Sequence, residues 1–169
     1  MVDLNENNSL SLKTNEQNLG DAWFIENILE VENENDEILL LDKLNYSKDC
    51  LSRSLKSKSY NYDSNRSVEL ISRKSNELIY KVSSKSEGFI VFSEAFYSKG
   101  WKSFINEKPI DHHKVNYLLR GMEVPQGEYT IRFEFDPNVI RQGSVIMLSF
   151  NFILLILIGL YFKKEFRNV

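Results

Sequence analysis

The sequence predicts a mainly β fold: an antiparallel β-sandwich with one short peripheral helix, followed by a single C-terminal transmembrane α-helix. Residues 67–135 alternate apolar and polar side chains in short runs separated by turn residues, the pattern of half-buried strands. Ser144–Phe162 then runs for nineteen residues without a charge. The whole chain has 169 residues, 27% charged and 42% apolar, which fits one compact domain plus an appendage. That balance excludes a wholly disordered chain and, for this chain, repeated membrane crossings.

Residues 1–19 are rich in Asn, Ser and Glu and read as a flexible N-terminal segment. After Gly20-Asp21, Ala22-Trp23-Phe24-Ile25 begins one or two strands that reach Val31. Asn33-Glu34-Asn35-Asp36-Glu37 supplies a cap and first-turn acids for a helix of about ten residues, whose apolar face is Ile38, Leu39, Leu41 and Leu44. The acids read as a solvated first turn rather than a cation site. Residues 52–65 form a basic, Ser-rich link. Arg53, Lys56 and Lys58 there fit a solvated loop or edge strand, or a patch for anionic lipid.

From Ser67 the period becomes two. Val68 and Leu70 alternate with polar residues, and Leu78, Tyr80 and Val82 follow the Ser75-Asn76 turn. Phe89-Ile90-Val91-Phe92 has the composition of a strand buried on both faces. Lys99-Gly100 turns into Trp101, Phe104 and Ile105, and Asn106-Glu107 sits where a two-residue hairpin turn belongs. Val115, Tyr117 and Leu119 alternate as a further strand. Val124-Pro125-Gln126-Gly127 fits a type I turn, and Tyr129, Ile131, Phe133 and Phe135 make the cleanest half-buried strand, ended by Asp136-Pro137. The sandwich domain is bounded at 20–142.

The span 144–162 measures about 28 Å as a helix, close to the roughly 30 Å hydrocarbon core. Tyr161 and Phe162 stand at the expected interface, and Lys163-Lys164 open a basic tail over 163–169. Asn151 near mid-span either meets a partner on another helix or bonds its own preceding turn. Lys163, Lys164 and Arg167 follow the span while Arg132 and Arg141 precede it, favouring a cytoplasmic tail. MVDLNENNSL has neither the basic nor the apolar region of a signal peptide. If Met1 opens the protein, the domain is a cytosolic, tail-anchored one. If the chain ends a longer membrane protein, the domain lies outside.

Little catalytic chemistry is written in the chain. The net charge of −3, with twelve acids against Lys13, Lys43 and Lys48 in residues 1–50, argues against nucleic acid. Single Cys50 excludes an internal disulfide and reads as a small buried apolar residue. His112-His113 are neighbours that point to opposite faces of a strand, so no metal site is expected. No nucleotide-binding, serine-hydrolase or zinc-protease signature occurs. No catalytic residue and no cofactor are assigned. Candidates for binding are Tyr97, Trp101, Asn116 and Arg120, because aromatic faces beside an amide and a guanidinium suit a sugar or peptide. The alternative is that Tyr97 and Trp101 close the core while Arg120 pairs with an acid such as Glu94.

Several segments are familiar in order. Leu19-Gly20-Asp21-Ala22-Trp23-Phe24 is similar to "LGNAWF", and Phe89 to Lys102, FIVFSEAFYSKGWK, to "vfsEiyYpkGWka". Ile105-Asn106-Glu107-Lys108 is similar to "iDGk", Asn116-Tyr117-Leu118-Leu119-Arg120-Gly121 to "NYvlRa", Val124-Pro125-Gln126-Gly127 to "vPaG", and Phe133 to Pro137 to "F-x-F-x-P". Together, over roughly residues 19–162, they resemble the C-terminal region of the bacterial membrane protein YfhO family. Glu107 stands in place of the usual turn Gly, and Ser98 in place of a usual Pro.

The resemblance implies the end of a polytopic protein of the bacterial cytoplasmic membrane, glycosyltransferase-like and of the lipid-linked-sugar type. The sandwich would be extracytoplasmic, with the bilayer, the parent's membrane helices and a lipid-linked sugar as partners. The family's catalytic carboxylates lie on early loops that have no counterpart here. The other reading is a stand-alone membrane-anchored binding or scaffold module without enzymatic activity. A topology reporter fused after Val169 separates the two. Either way the bare span should drive association. Without detergent the full chain is expected to elute as aggregates on size exclusion, and a monodisperse detergent-free preparation would contradict the span.

Overall fold

The computed structural model describes residues 2–4, 10–12, 18–61 and 63–167. Strands β1 (Val2–Leu4) and β2 (Leu10–Leu12) pair as a small antiparallel hairpin. The sandwich holds β3 (Ala22–Ile25), β4 (Asn27–Glu30), helix α1 (Glu34–Leu41), β5 (Asp49–Ser52), β6 (Lys58–Ser59), β7 (Ser67–Lys74) and β8 (Glu77–Ser84). Then come β9 (Gly88–Ala95), β10 (Trp101–Ile105), β11 (Lys108–Ile110), β12 (His113–Val115), β13 (Leu119–Val124) and β14 (Gly127–Phe135). Helix α2 (Asn138–Arg167) ends the described chain.

Three sheets stack. A five-stranded antiparallel sheet has the order β11-β10-β14-β8-β7. A four-stranded antiparallel sheet, β12-β13-β9-β3, packs on it through Tyr80, Ile131 and Phe133 from one layer and Ile90, Phe92 and Met122 from the other. Tyr80, Phe92 and Phe133 meet edge to face, with centroids 4.9 Å apart for Tyr80–Phe92 and for Phe92–Phe133. The second face of the four-stranded sheet presents Ile25, Phe89, Val91 and Val115. These are covered by Ile28, Cys50 and Tyr60 of a small third sheet, β5-β4-β6. Phe89-Ile90-Val91-Phe92 is therefore buried on both faces, as its unbroken apolar run predicts.

The third sheet contains a parallel pair, β4 with β5, which the alternation does not foretell. Helix α1 is the crossover between these two strands, since a parallel connection cannot be a tight turn. Its cap is as expected: the Asn33 side chain accepts from Asp36 N at 2.9 Å. Its faces are not. Ile38 and Leu39 are exposed, whereas Glu37, read from sequence as part of a solvated first turn, is only 1% exposed. The Glu37 carboxylate accepts from the Tyr117 backbone N–H at 2.7 Å and pairs with Arg53 Nε at 2.9 Å. Two partners make a buried charge tolerable where a lone one is not. Arg53, Lys56 and Lys58 thus each face an acid: Glu37, Glu30 and Glu123 respectively.

The turns follow their chemistry. Asn106 and Glu107 both take positive φ, at 45° and 66°, which closes the β10–β11 hairpin in the primed geometry. Glu107 fills the position that suits Gly, and its carboxylate accepts from Arg132 Nη2 at 2.6 Å. A second such turn stands at Asn116 and Tyr117, with φ of 48° and 66°. It breaks what reads in sequence as one strand through Val115, Tyr117 and Leu119 into β12 and β13. Residues 125–126 carry the chain from the four-stranded to the five-stranded sheet. Helix α2 is apolar all round and bare over 142–159, which excludes a core helix of this domain. Within it the Ser149 hydroxyl donates to the Val145 carbonyl of its own preceding turn at 2.8 Å.

Gly121 on β13 faces the third sheet with no room to spare. A Cβ there would stand 2.4 Å from Phe89 Cε1 and 3.0 Å from Val115 Cγ1. Gly121→Ala is expected to cost about 1–3 kcal/mol by overpacking, read as a lower melting midpoint of the full chain in detergent. An unchanged midpoint would mean that the layers are not locked at this contact.

Candidate functional site

One end of the sandwich gathers the sequence candidates. Strand β9 ends there, β10 begins, β7 turns into β8, β12 turns into β13, and β14 ends. Backbone bonds tie these loops together. Phe96 N donates to Leu118 O at 2.7 Å, Phe135 N to Asn76 O at 2.8 Å, and Asp136 N to Gly100 O at 2.9 Å. Gly100 is required by close approach, since a Cβ would stand 2.2 Å from Phe135 Cε2. Over that contact the Trp101 and Phe135 rings lie 5.2 Å apart, and exposed Tyr97 lies 6.4 Å from Phe135.

Arg120 is fully buried beneath this cap. Its guanidinium lies 4.2 Å from the Trp101 ring centre and 5.2 Å from that of Phe133. Nε donates to Ala95 O at 2.8 Å, while Nη1 is buried without a partner. Burial draws its pKa below the ordinary value, partly offset by the field of Glu94. Glu94 does not bond it. That carboxylate accepts from Arg73 Nη1 at 2.6 Å, and Arg73 Nη2 reaches Asp21 at 2.7 Å. The aromatic faces, not an acid, neighbour the buried cation.

Tyr97, Trp101 and Arg120 therefore converge. Asn116 has a separate engagement: its Oδ1 accepts from Leu51 N at 2.8 Å, and its own N donates to Leu51 O at 2.9 Å. This pairing fastens the β12–β13 turn to the third sheet. Beside Trp101 opens a groove of about 790 Å³, lined among others by Phe96, Ser98, Lys102, Ser103 and His112. A second hollow of about 470 Å³, lined by Arg73, Lys74 and Glu94, lies on another side of the same indole.

His112 is the residue sequence reading undervalued. Its ring lies edge-on between Phe96 and Phe133, with centroids 5.5 Å from each. His112 lies in the link before β12, and only His113 stands on the strand, so strand alternation does not give its direction. Ser103 Oγ donates to Ile110 O at 2.6 Å and stands 2.8 Å from His112 Nδ1. A hydroxyl has one proton, so Nδ1 must be the donor in the second bond. The pair is thus wired opposite to a nucleophile and its base. Burial, with the nearby Arg120 charge, lowers the His112 pKa to about 4. Cys50 is buried and its thiol is pushed up to about 12 by desolvation, which keeps it in the unreactive form. Among the described residues no group of three or more His, Cys, Asp or Glu could hold a metal ion. What the site offers is an aromatic wall, hydroxyls and a lysine beside an open groove.

A family model described as bacterial membrane protein YfhO matches residues 51–147, more than half of the chain, and the groove lies within that stretch. No curated protein and no solved structure matches.

Because the folded state disfavours His112 protonation, its contribution to stability is full above the ordinary value of 6.5 and is lost as pH falls toward about 4. Melting midpoints at pH 7 and pH 5 are expected to differ less in His112→Gln than in the unaltered chain. Equal differences would place the imidazole in contact with water.

Proposed function

The chain belongs to the bacterial membrane protein YfhO family, and from that membership we propose that it forms the C-terminal extracytoplasmic domain and last membrane helix of a polytopic membrane protein. The parent is a glycosyltransferase of the lipid-linked-sugar type, with its catalytic carboxylates on helices and loops outside this chain. The sandwich serves as a cover over the sugar site. Its groove, walled by Trp101 and Phe96, receives part of the sugar-phosphate headgroup.

One observation carries this reading. The groove opens at the end of the sandwich from which the candidate span leaves. Asp136 is bonded to Gly100, and the span begins by Gln142. From Asn138 to Gln142 the helix rises about 6 Å, and the two non-helical steps before it add at most about 7 Å. A headgroup carried at the bilayer surface is therefore within reach of Trp101, and an indole face suits the apolar face of a sugar ring. Arg120 positions that indole from below and does not reach the groove itself.

The test is a titration of the full chain in detergent micelles with a polyprenyl-phosphate-linked hexose, followed by tryptophan emission. A saturable change is expected that survives Trp23→Phe and disappears in Trp101→Phe. Trp101→Ala should weaken binding about tenfold, roughly 1.4 kcal/mol. Emission that never responds, or that responds through Trp23, would remove the groove from sugar recognition. Protease added to intact cells should reach the sandwich if it lies outside.

A further inference from the structure

The same end of the molecule carries apolar surface that neither the core nor the groove uses. Leu39 is 69% exposed and Leu118 55% exposed, with Ile38 and Leu40 also open. These residues are distant in sequence but joined in space. Glu37 of α1 holds the backbone of Tyr117, and Leu118, the next residue, holds Phe96. Phe96 opens the loop that ends at Gly100, and Gly100 holds Asp136, where the chain leaves for α2. Three hydrogen bonds, joined by short stretches of chain, thus connect α1 to the foot of the span.

We propose that this rim, α1 together with the β12–β13 turn, rests in the interfacial layer of the bilayer that α2 enters, so that the sandwich stands on the membrane rather than swinging above it. The proposal rests on α2 spanning the bilayer and is independent of sugar binding. The link between the sandwich and the span is short. Two non-helical steps from the anchored Asp136 and the helical rise from Asn138 to Gln142 together span at most about 13 Å, comparable with the breadth of one packed sheet pair. Three large apolar side chains in a row on α1 and a leucine at a tight turn are costly to leave in water. Consecutive on α1, Ile38, Leu39 and Leu40 fan around the helix rather than form one face, and apolar side chains at its exposed tip are ordinarily accommodated at the headgroup boundary of a bilayer. Of the three acids of α1, Glu37 is buried against Arg53, Asp36 is bonded to its own cap, and exposed Glu34 lies 3.8 Å from Arg53 Nη2. The opposite end of the sandwich, at Gln126, lies about 30 Å away along the nine residues of β14.

The test uses the full chain in phosphatidylcholine vesicles. An environment-sensitive fluorophore is attached to single cysteines introduced as Leu39→Cys, Leu118→Cys, Gln126→Cys and Leu154→Cys. Native Cys50 stays in place, since it is fully buried and should remain unlabelled. Vesicles then receive nitroxide lipids with the quencher either shallow or deep. The expected result is loss of emission at 39 and 118 with the shallow nitroxide, at 154 with the deep one, and at 126 with neither. If 154 is quenched while 39 and 118 keep their emission, the span stands and the rim proposal falls. If 39 and 118 are blue-shifted yet unquenched, protein rather than lipid covers them, which also overturns it. If 154 is not quenched, the spanning helix fails and takes the proposal with it.

Discussion

Over Gly88–Phe92, strand β9 has no face that meets water. Phe89 and Val91 point to the small third sheet, while Ile90 and Phe92 point to the five-stranded one. Each such side chain removed from water contributes roughly 1.5–3 kcal/mol, and a strand carrying four of them needs covering on both sides. That requirement sets the number of layers. It makes the four-stranded sheet the middle of the stack and obliges the segment before β7 to supply an outer layer from short pieces. It also explains Gly121, which lets the Phe89 ring lie flat against β13.

The outer layer is held by polar contacts as much as by apolar ones. The β4–α1–β5 unit is too small to bury a core of its own, and its helix turns its leucines outward. Its hold on the middle sheet is Glu37, reaching the Tyr117 backbone, and Asn116, exchanging two hydrogen bonds with Leu51. Both contacts meet at one hairpin turn whose residues take positive φ. The turn is therefore a fastening as well as a reversal, and it places Leu118 and α1 on the same rim as the exit of α2.

At the other side of that rim, Arg120 and Trp101 form a stack that replaces an ion pair. A buried guanidinium with one backbone acceptor and two aromatic faces is satisfied incompletely, as its free Nη1 shows. The gain is placement. The indole is held from beneath, with Phe135 alongside and Gly100 leaving space for that ring. A side chain so fixed can present a face to a ligand without ordering cost at the moment of contact. The exposed leucines and the groove beside Trp101 thus share one end of the molecule.

The sequence alone determined the features that are local. Period-two alternation marked β7, β8 and β14. The Asn106-Glu107 turn, the Asn33 cap and the β9 run each announced themselves through the chemistry of a few neighbouring residues, and an uncharged stretch of nineteen residues announced a helix for lipid. Tertiary structure decided what depends on distant partners. Glu37 looked solvated until Arg53 and Tyr117 arrived beside it, Ile38 and Leu39 looked buried but stayed exposed while Leu41 and Leu44 became half-buried, and β4 and β5 became parallel only because α1 could cross between them. Arg120 could as well have met Glu94, had Arg73 not taken that carboxylate first. Period and composition report which residues prefer water, whereas the burial of a charge depends on who stands opposite, and only the folded chain supplies that neighbour.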